Sequence, residues 1–556
     1  MPHTMDQQLQ SKIESLCQSL SAPSKIVAVC LIGSESLQGL GTDNLLLVVL
    51  EDFLRGIKIA HHKLEGSRIR VLQVDRVLFE EDVTGATLGE LAAGWLSLPY
   101  IPLKNPSYLK EKEIRLKKEI ILRSIENLVK EYSSLAGEIL IENRFFVFDE
   151  IARRLKMHPA MWWGFYRSLS GNERDTCLSQ VEEGYKVALK ELEGEGKITF
   201  LGDLVKVKED FVTQCLSKRF PKVALIKSLE KVLRSRIFRG YAGVTSPLDL
   251  LRELISEIGF ELRLSEKAAE GEILDPKRFL ILPSKDGFIR LCDETSIEDY
   301  VEREGAFSGK AVEIRKLGGV LNNVYLLLFR DDGVSRVVVK KFEEWADFKW
   351  LPIAMWAIGA QNFSVRAKSR LARECAASLY LREHKFATPS ILRVSWNRSL
   401  LFKEFIDGQR LDKLIKGVIR SGAIADDVKS ILWRAGKTLA EIHSVDFTIG
   451  DNKPENIVAC EDGRIYFVDL EQAGKGGNKP WDLAEFVYYS AHYALPTDPM
   501  KGIDDIISSF SEGYIAGGGS KDHVKKITSH LYVNKFVPLV IPSVLLEARS
   551  LLKRLC

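Results

Sequence analysis

Residues 448–474, TIGDNKPENIVACEDGRIYFVDLEQAG, decide how the second half of the chain folds. In this stretch Asp451 precedes Asn456 by five positions, and an apolar strand then ends at Asp469. Phosphoryl transfer needs one carboxylate to orient the attacking hydroxyl, and an amide and a second carboxylate to hold magnesium. We therefore take Asp451 as the candidate catalytic residue, and Asn456 and Asp469 as the candidate metal ligands. Lys453 is a second catalytic candidate, because it can neutralise charge on the transferred phosphate.

A lysine and a glutamate that would hold the nucleotide phosphates lie upstream of this stretch. The strand VVVKKF ends in Lys340 and Lys341, and strand alternation lets only one of them point at the phosphates. We choose Lys340, with Lys341 as the alternative. The predicted helix SRLARECAASLYL carries Glu374, which can reach that lysine.

Two more segments complete a nucleotide site in the expected chain order. RKLGGVLNNVYLL places Gly318 and Gly319 between two strands, where backbone N–H groups can approach phosphates. LLFKEFIDGQRL resembles a hinge between two lobes, and its Glu404 is the candidate contact for the nucleotide base. Each feature alone is common by chance, but together they indicate a phosphotransferase.

This set of motifs resembles the atypical kinases: the RIO kinases, the small kinase of the KEOPS complex and the aminoglycoside phosphotransferases. Ile449-Gly450 stands where protein kinases carry His-Arg, and Leu470-Glu471 where they carry Phe-Gly. Only eleven residues separate Asp469 from Trp481-Asp482, which leaves no room for a long activation segment. We expect Asp482 to be a buried aspartate that anchors a core helix. The resemblance implies a bilobal protein-kinase-like domain that binds ATP or another NTP with Mg²⁺.

The first hundred residues predict a small α/β unit. Its strands are KIVAVCLIGS, TDNLLLVVLED and RIRVLQVDRVLF, with a short helix before the third. Gly33-Ser34 and Asp43 resemble a nucleotidyltransferase signature, but Leu45 occupies the second carboxylate position, and Asp75 is only a possible third. Two-metal chemistry needs those carboxylates. We therefore expect a degenerate module for binding or packing, with residual nucleotide binding as the alternative.

The next block is predicted to be helical and then to form a winged helix-turn-helix. One long helix, or a broken pair, is expected from Ser107 to about Glu142. Two further helices, FFVFDEIARRLKMHP and SQVEEGYKVALKELEGEGKI, precede a predicted hairpin, ITFLGDLVKV. Helix, helix and hairpin is the order of a winged helix; a plain helical spacer is the alternative.

Charge is unevenly distributed along the chain. The whole sequence has 79 basic and 76 acidic residues. Residues 102–240, however, hold 27 basic and 20 acidic residues, and residues 218–239 hold eight basic residues and one acidic residue. A basic face of this kind binds phosphates in a salt-sensitive way. The candidate RNA-binding residues are Arg153, Arg154, Lys186, Lys190, Lys218, Arg219, Lys227, Lys231, Arg234 and Arg236.

The predicted fold is therefore multidomain, α/β and α+β. It comprises a degenerate nucleotidyltransferase-like domain (1–102), a helical connector (103–142), a winged helix-turn-helix (143–216), a basic helical linker (217–261) and an atypical RIO/KEOPS-like kinase domain (262–556). This layout resembles the archaeal RNA kinase family. The resemblance implies transfer of a γ-phosphate to an internal ribose 2′-hydroxyl of tRNA, in the variable-loop region, with Asp451 orienting the hydroxyl.

Two other functions remain open. One is a RIO-like Ser/Thr protein kinase in ribosome or tRNA maturation, and the other is a nucleotide-regulated RNA-binding protein without transfer activity. The eight cysteines include no CxxC pair, and we see no signal peptide or membrane-spanning run. The sequence thus predicts a cytoplasmic protein with tRNA as partner and no membrane or obligate protein partner. Its Lys/Glu-rich helices would suit a thermophile.

Overall fold

The computed structural model of the chain describes residues 7–32, 45–64, 67–157, 174–217, 275–285, 287–308, 311–318, 322–330, 334–344, 363–495, 497–498 and 500–555. They form helices and sheets that divide into two units. Unit 1 is Met1–Lys130 with Leu140–Leu280, and unit 2 is Glu131–Ile139 with Ile281–Cys556. The predicted mixture of α and β structure in more than one unit is confirmed, whereas the five domain boundaries stay predictions.

Unit 1 begins with a five-stranded sheet and the helices that flank it in sequence. Their bounds are α1 (Gln7–Ser21), β1 (Lys25–Ile32), β2 (Leu45–Glu51), β3 (Ile57–Leu64), β4 (Ser67–Asp75), α2 (Arg76–Gly85) and β5 (Tyr100–Lys104). The strand order is β3-β4-β2-β1-β5, with β2 and β4 parallel and the other neighbours antiparallel. The apolar run of β2 is buried on both faces, as expected for a central strand. Ile13 and Cys17 of α1 pack on one of those faces.

Two expectations for this sheet are wrong. The short helix predicted before the third strand is instead β3, which forms a hairpin with β4. The predicted strand RIRVLQVDRVLF also ends early, at Asp75. The carboxylate of Asp75 accepts the N–H of Val77 at 2.9 Å and so begins α2. Asp75, considered as a third metal carboxylate, is therefore a helix cap.

The rest of unit 1 is mainly helical. It begins with the long helix α3 (Pro106–Tyr132). The other elements are β6 (Leu140–Glu142), α4 (Arg144–Met157), α5 (Arg174–Gly194), β7 (Ile198–Leu201), β8 (Leu204–Val207) and α6 (Glu209–Ser217). The predicted hairpin is confirmed: β7 and β8 pair antiparallel, and Gly202 turns between them with φ +63°. The predicted long helix ends at Tyr132, where Ser133 adopts φ +52° and a 3₁₀ turn follows.

Unit 2 contains a five-stranded sheet that is antiparallel throughout. Before it come β9 (Leu280–Ser284), β10 (Gly287–Arg290) and α7 (Ile297–Ser308). Its strands, with one helix between them, are β11 (Ala311–Gly318), β12 (Asn323–Arg330), β13 (Val334–Lys341), α8 (Ala367–Glu383), β14 (Ile391–Ser395) and β15 (Leu400–Glu404). The order is β11-β12-β13-β15-β14. Val339 and Phe402 fill its core, and Tyr300 of α7 stacks on Phe402 with ring centroids 4.6 Å apart.

The remainder of unit 2 consists of helices with short strands between them. The elements are β16 (Gln409–Arg410), α9 (Leu411–Ser421), α10 (Asp426–Ser444), β17 (Phe447–Thr448), β18 (Ile457–Ala459), β19 (Ile465–Phe467), β20 (Gly474–Lys475), α11 (Lys479–His492), α12 (Ile503–Ala516), α13 (Lys521–Lys526), α14 (His530–Phe536) and α15 (Pro542–Leu555). None of the described helices in either unit is both long and apolar enough to cross a membrane.

Helices α10 and α12 approach each other backbone to backbone. A Cβ atom added at Gly436 would collide with the carbonyl oxygen of Phe510, and one added at Gly513 would collide with that of Trp433. Phe510 also stacks on Phe486 of α11, with ring centroids 3.6 Å apart. The three helices thus form one tightly packed core, and the strands β17 to β19 run from its edge.

Candidate functional site

Lys340 lies where two carboxylates from distant parts of unit 2 meet. Its Nζ is 2.8 Å from Oε2 of Glu374 on α8 and 2.7 Å from Oδ1 of Asp469, which follows β19. Strand alternation turns the next residue outward: Lys341 pairs with Glu343 at 3.0 Å, and its side chain is 44% exposed. The structure therefore brings together the predicted Lys340, Glu374 and Asp469, and it leaves the alternative Lys341 outside.

The charges in this cluster depend on one another. Burial would lower the pKa of Lys340, but the carboxylates of Asp469, Glu374 and Glu471 outweigh it and hold the pKa well above its ordinary value. Burial would likewise raise the pKa of Asp469, and the charge of Lys340 lowers it instead. Lys340 is therefore charged, and Asp469 is an ionised carboxylate.

Glu471 is a third carboxylate on Lys340, and its partners were not predicted. Its Oε2 is 3.0 Å from Nζ of Lys340 and accepts Nδ2 of Asn322 at 2.8 Å. Arg370, fully buried on α8, donates to Oδ1 of Asn322 at 2.6 Å. Burial raises the pKa of Glu471 to about 7. Glu471 thus links the segment after Asp469 to α8 and to the residue before β12.

Lys403 is a second buried lysine that sequence analysis missed. It lies on β15, is 4% exposed and forms an ion pair with Glu374. Its Nζ also donates to the carbonyl oxygen of Val468 at 2.8 Å. Glu374 is therefore held between two lysines, and Lys403 joins it to the strand end that carries Asp469. No local spacing signals this pair, because 29 residues separate its members.

Asp451, Lys453 and Asn456 form a second cluster. Nζ of Lys453 is 2.6 Å from Oδ1 of Asp451, and Nδ2 of Asn456 donates to Oδ2 of Asp451 at 3.1 Å. Burial would lower the pKa of Lys453, but the charge of Asp451 raises it well above its ordinary value. The predicted catalytic carboxylate thus has a cation and an amide donor in place.

A buried aspartate fixes the backbone just before Asp451. Asp482 accepts the N–H groups of Ile449 and Gly450, each at 2.7 Å, and Nε2 of His443 lies 3.0 Å from its carboxylate. Gly450 has φ +76°, a conformation that residues with a side chain rarely adopt. The predicted burial of Asp482 is confirmed, and the backbone conformation at position 450 explains the glycine there.

Glu485, one helical turn after Asp482, was also missed. It is 1% exposed, and its Oε2 accepts the N–H of Asn452 at 2.6 Å. Asn452 follows Asp451 directly in the chain, so this bond places the carboxyl group of Glu485 next to Asp451. A buried carboxyl group therefore lies directly behind the predicted catalytic carboxylate.

The segment between Asp469 and α11 is bonded along its length. The side-chain amide of Gln472 accepts the N–H of Ser364 at 2.7 Å and donates to its carbonyl at 3.0 Å. Gly474 and Lys475 form β20, which pairs antiparallel with β17. Asn478 then caps α11. This segment returns the chain to the helical core at Lys479, ten residues after Asp469.

The other predicted nucleotide-binding residues, Gly318, Gly319 and Glu404, belong to neither cluster. Gly318 ends β11 opposite Val324, and Gly319 lies outside the described residues. Glu404 ends β15; its side chain pairs with Lys285 at 3.1 Å, and its N–H donates to the carbonyl of Ser390 at 3.0 Å. The carboxylate and amide of Glu404 are thus already engaged.

One predicted RNA contact needs correction. Arg154 is 1% exposed and is enclosed by the carboxylates of Glu90 and Glu150, so its guanidinium stabilises the interior of unit 1 and does not reach a surface phosphate. Arg153 pairs with the same two glutamates but keeps a quarter of its side chain exposed. The helical period of α4 could have shown that neighbouring arginines face different sides.

Lys186 and Lys190 are both exposed, one turn apart on α5, as an RNA-binding face requires. The other residues of the predicted RNA-binding and nucleotidyltransferase-like motifs lie outside the described part of the chain: Lys218, Arg219, Lys227, Lys231, Arg234, Arg236, Gly33, Ser34 and Asp43.

Among the described residues, Glu374, Asp469 and Glu471 each offer an oxygen within 4.8 Å of the others, a grouping that could hold a cation. Glu374 is fully buried between two lysines, whereas the side chain of Asp469 is 30% exposed. Carboxylate and amide oxygens are the ligands that Mg²⁺ prefers. Asp469 therefore fits a magnesium ligand best, and Asn456, which holds Asp451, offers the amide oxygen expected of the second ligand.

Comparison with known proteins identifies no relative. No protein-family model matches the chain, and no curated protein matches it either. The interpretation of the site therefore depends on its residues and their geometry.

Proposed function

We propose that this chain is an RNA kinase that transfers the γ-phosphate of ATP or another NTP to an internal ribose 2′-hydroxyl of tRNA, in the variable-loop region. The observation that carries the proposal is the meeting of Glu374 and Asp469 at Lys340, with Nζ–oxygen distances of 2.8 and 2.7 Å. A buried lysine held by a glutamate grips nucleotide phosphates in kinases, and an aspartate beside it binds their magnesium.

Each residue of the two clusters has a role in this proposal. Lys340 binds the phosphates and Glu374 orients it. Asp469 and Asn456 would hold magnesium, which would neutralise charge on the phosphate oxygens. Asp451 accepts the hydrogen bond of the acceptor hydroxyl and orients its oxygen toward the γ-phosphate. Lys453, 2.6 Å from Asp451, provides the positive charge beside the transferred group.

The arrangement of elements in unit 2 supports an atypical protein-kinase-like domain. A five-stranded antiparallel sheet with α8 comes first, and the helices from α9 onward follow. Asp482, which holds the backbone before Asp451, occupies the place of the buried aspartate of that fold. In unit 1, two helices followed by the β7–β8 hairpin support the winged helix, and the sheet of β1 to β5 supports the nucleotidyltransferase-like module.

An RNA acceptor is favoured by charge and by the short segment after Asp469. Residues 102–240 carry an excess of basic over acidic residues, and Lys186 and Lys190 expose two of those charges on one helix face. Protein kinases dock peptides on a long activation segment, and here β20 returns the chain to the core directly. The short segment after Asp469 therefore favours an acceptor that does not dock as a peptide, such as a folded nucleic acid.

A nucleotide-regulated RNA-binding protein without turnover is the second candidate, and Glu471 favours it. Lys340 has three carboxylate partners, of which Glu471 is 3.0 Å away. A lysine held by Glu374, Asp469 and Glu471 must give up some of these contacts to grip phosphates. If that exchange is incomplete, the chain binds nucleotide and does not transfer phosphate.

The test uses γ-labelled ATP and magnesium with total tRNA and a cell protein extract in separate reactions. Asp451→Asn is the matched control, since it keeps the size of the side chain and removes its charge. We expect label in tRNA that is nuclease-sensitive, resists an end-specific phosphatase and is absent with Asp451→Asn.

Each of the other outcomes would support a different function. Label in protein alone would indicate a RIO-like Ser/Thr protein kinase. Binding of ATP and tRNA with label in neither acceptor would support the regulatory binding protein.

A further inference from the structure

Glu485 is a buried carboxyl group beside the loop that carries the proposed catalytic carboxylate. It lies on the face of α11 that points at the loop before Asn456, is 1% exposed, and its Oε2 accepts the N–H of Asn452 at 2.6 Å. Asn452 follows Asp451 directly in the chain, so the second oxygen of Glu485 lies close to the carboxylate of Asp451.

Two carboxyl groups that lie side by side in a buried place can share one proton, because like charges at short distance strongly disfavour double ionisation. The surroundings distinguish the two groups. Asp451 has the ammonium of Lys453 at 2.6 Å and the amide of Asn456 at 3.1 Å, both of which stabilise a negative charge. Glu485 is fully buried and has a backbone N–H as its other partner.

We propose that Glu485 is a positioning residue that carries a proton and donates it in a hydrogen bond to Asp451, so that Asp451 is the ionised carboxylate that faces the acceptor hydroxyl. This inference rests on the proposed phosphotransferase function. In this arrangement one oxygen of Glu485 accepts from Asn452, and its O–H fixes the orientation of Asp451.

The other charged and titratable groups around Glu485 are few and agree with this arrangement. Burial first, and then the charge of Asp451, raise the pKa of Glu485 well above its ordinary value; Lys453 opposes the shift, and Asp482 adds to it. Tyr489, one turn further along α11, lies under the ammonium of Lys453, with Nζ 5.1 Å from its ring centroid. Burial raises the pKa of Tyr489 to about 12, so it stays neutral at physiological pH.

Glutamine and leucine at position 485 separate this role from simple packing. Glu485→Gln keeps an oxygen for Asn452 and offers an N–H to Asp451, as a neutral glutamic acid does, whereas Glu485→Leu offers neither. We expect the glutamine variant to rescue most of kcat, while the leucine variant loses about 10- to 100-fold in kcat with KM changed much less, because Asp451 is no longer held in place. In the wild type kcat should also fall on the alkaline side as Glu485 ionises, and Glu485→Gln should lack that fall.

A stability measurement tests the proton without any transfer assay. A carboxyl group whose pKa is raised in the folded state holds a proton that the unfolded chain releases, so the free energy of unfolding falls as pH rises above the unfolded pKa. Glu485→Gln has no such proton. We therefore expect Tm of Glu485→Gln minus Tm of the wild type to increase between about pH 5 and pH 8. Glu512→Gln, the same change at an exposed position of α12, is the matched control.

The outcomes distinguish this inference from the proposed function. A Tm difference that stays flat with pH, matching the Glu512→Gln control, would overturn the inference even if the chain phosphorylates tRNA. A rising difference in a protein that phosphorylates nothing would confirm the proton on Glu485 and reject the phosphotransferase. Transfer activity with wild-type and Glu485→Gln pH profiles that coincide would also overturn the inference.

Discussion

At the scale of single residues, the site depends on charges that are buried in pairs. Lys340 and Lys403 are each about 4% exposed, and both contact the fully buried Glu374. A buried charge is tolerated only with partners, and removing one partner exposes the other to the full cost of desolvation. Lys340, Lys403 and Glu374 therefore depend on one another for their place in the interior of unit 2.

Lys403→Met should destabilise the protein by about 3 kcal/mol, because Glu374 and the carbonyl of Val468 each lose a buried donor. The measurement is the midpoint of chemical unfolding. Lys341→Met, at the exposed lysine that ends β13, is the matched control and should cost less than about 0.5 kcal/mol. Equal costs for the two variants would show that Lys403 is not part of a buried pair.

Asp451→Asn should lower the rate of phosphate transfer by about 10² to 10⁴-fold, since an amide cannot take up the hydroxyl proton. The affinities for tRNA and for nucleotide, measured by titration, should stay within about twofold of the wild-type values. Asp469→Ala should instead weaken binding of the magnesium nucleotide. A large loss of nucleotide affinity in Asp451→Asn would place this residue in binding and not in the transfer step.

Sequence analysis identified both members of the Lys340–Glu374 and Lys453–Asp451 pairs and missed Lys403 and Glu485, which lie beside them. Lys340, Glu374, Asp451 and Asp469 stand in a recognisable order and spacing, and the structure brings them together in two clusters. Lys403 and Glu485 carry no such signal, because each is separated from its partner by 29 or more positions in the sequence. The prediction that Arg154 binds RNA was wrong because composition indicates only that a segment is basic. It does not show which of two neighbouring arginines is buried.

At the scale of elements, α10 and α12 are held together by glycine. Gly436 and Gly513 let each helix backbone contact the other, with no room for a Cβ atom at either position. Alternation and apolar runs predicted most strands of both sheets, but they did not predict this contact. Local pattern also failed at β3, where a strand stands in place of a helix because its partner β4 supplies the hydrogen bonds.

Gly436→Ala and Gly513→Ala should each destabilise the protein by about 1–3 kcal/mol, because the added methyl group collides with a backbone carbonyl that cannot move without shifting its helix. Gly417→Ala, at an exposed position of α9 with nothing within 4 Å of the added Cβ, should stabilise it by about 0.5–1 kcal/mol. Unfolding midpoints of the three variants give the comparison. A stabilising effect at position 436 or 513 would mean that the two helices can separate at no cost.

At the scale of the whole molecule, charge is separated along the chain although the net charge is small. The formal net charge is +3, while residues 218–239 alone hold eight basic residues and one acidic residue. Net charge therefore says little about partners, and the position of the charge says more. If the basic region binds RNA, affinity should depend on salt through the number of phosphates it neutralises.

The double variant Lys186→Glu/Lys190→Glu should lower tRNA affinity and reduce the slope of log K against log salt by about 1–2, because up to two phosphate contacts are lost. Binding isotherms between low and physiological salt measure both quantities. Lys525→Glu/Lys526→Glu changes the net charge equally, on exposed residues of α13 in unit 2. If both double variants reduce the slope alike, α5 is not a specific RNA-binding face.

The segment from Asp469 to α11 has a consequence for how such an enzyme could be controlled. Glu471 contacts Lys340, Gln472 is paired with Ser364, and β20 is paired with β17, so the segment is tied down from end to end. A loop held in this way cannot swing between an open and a blocking position. If the chain is the phosphotransferase proposed above, we expect its output to be set by the supply of nucleotide and acceptor and by whatever removes the product, and not by movement of this segment.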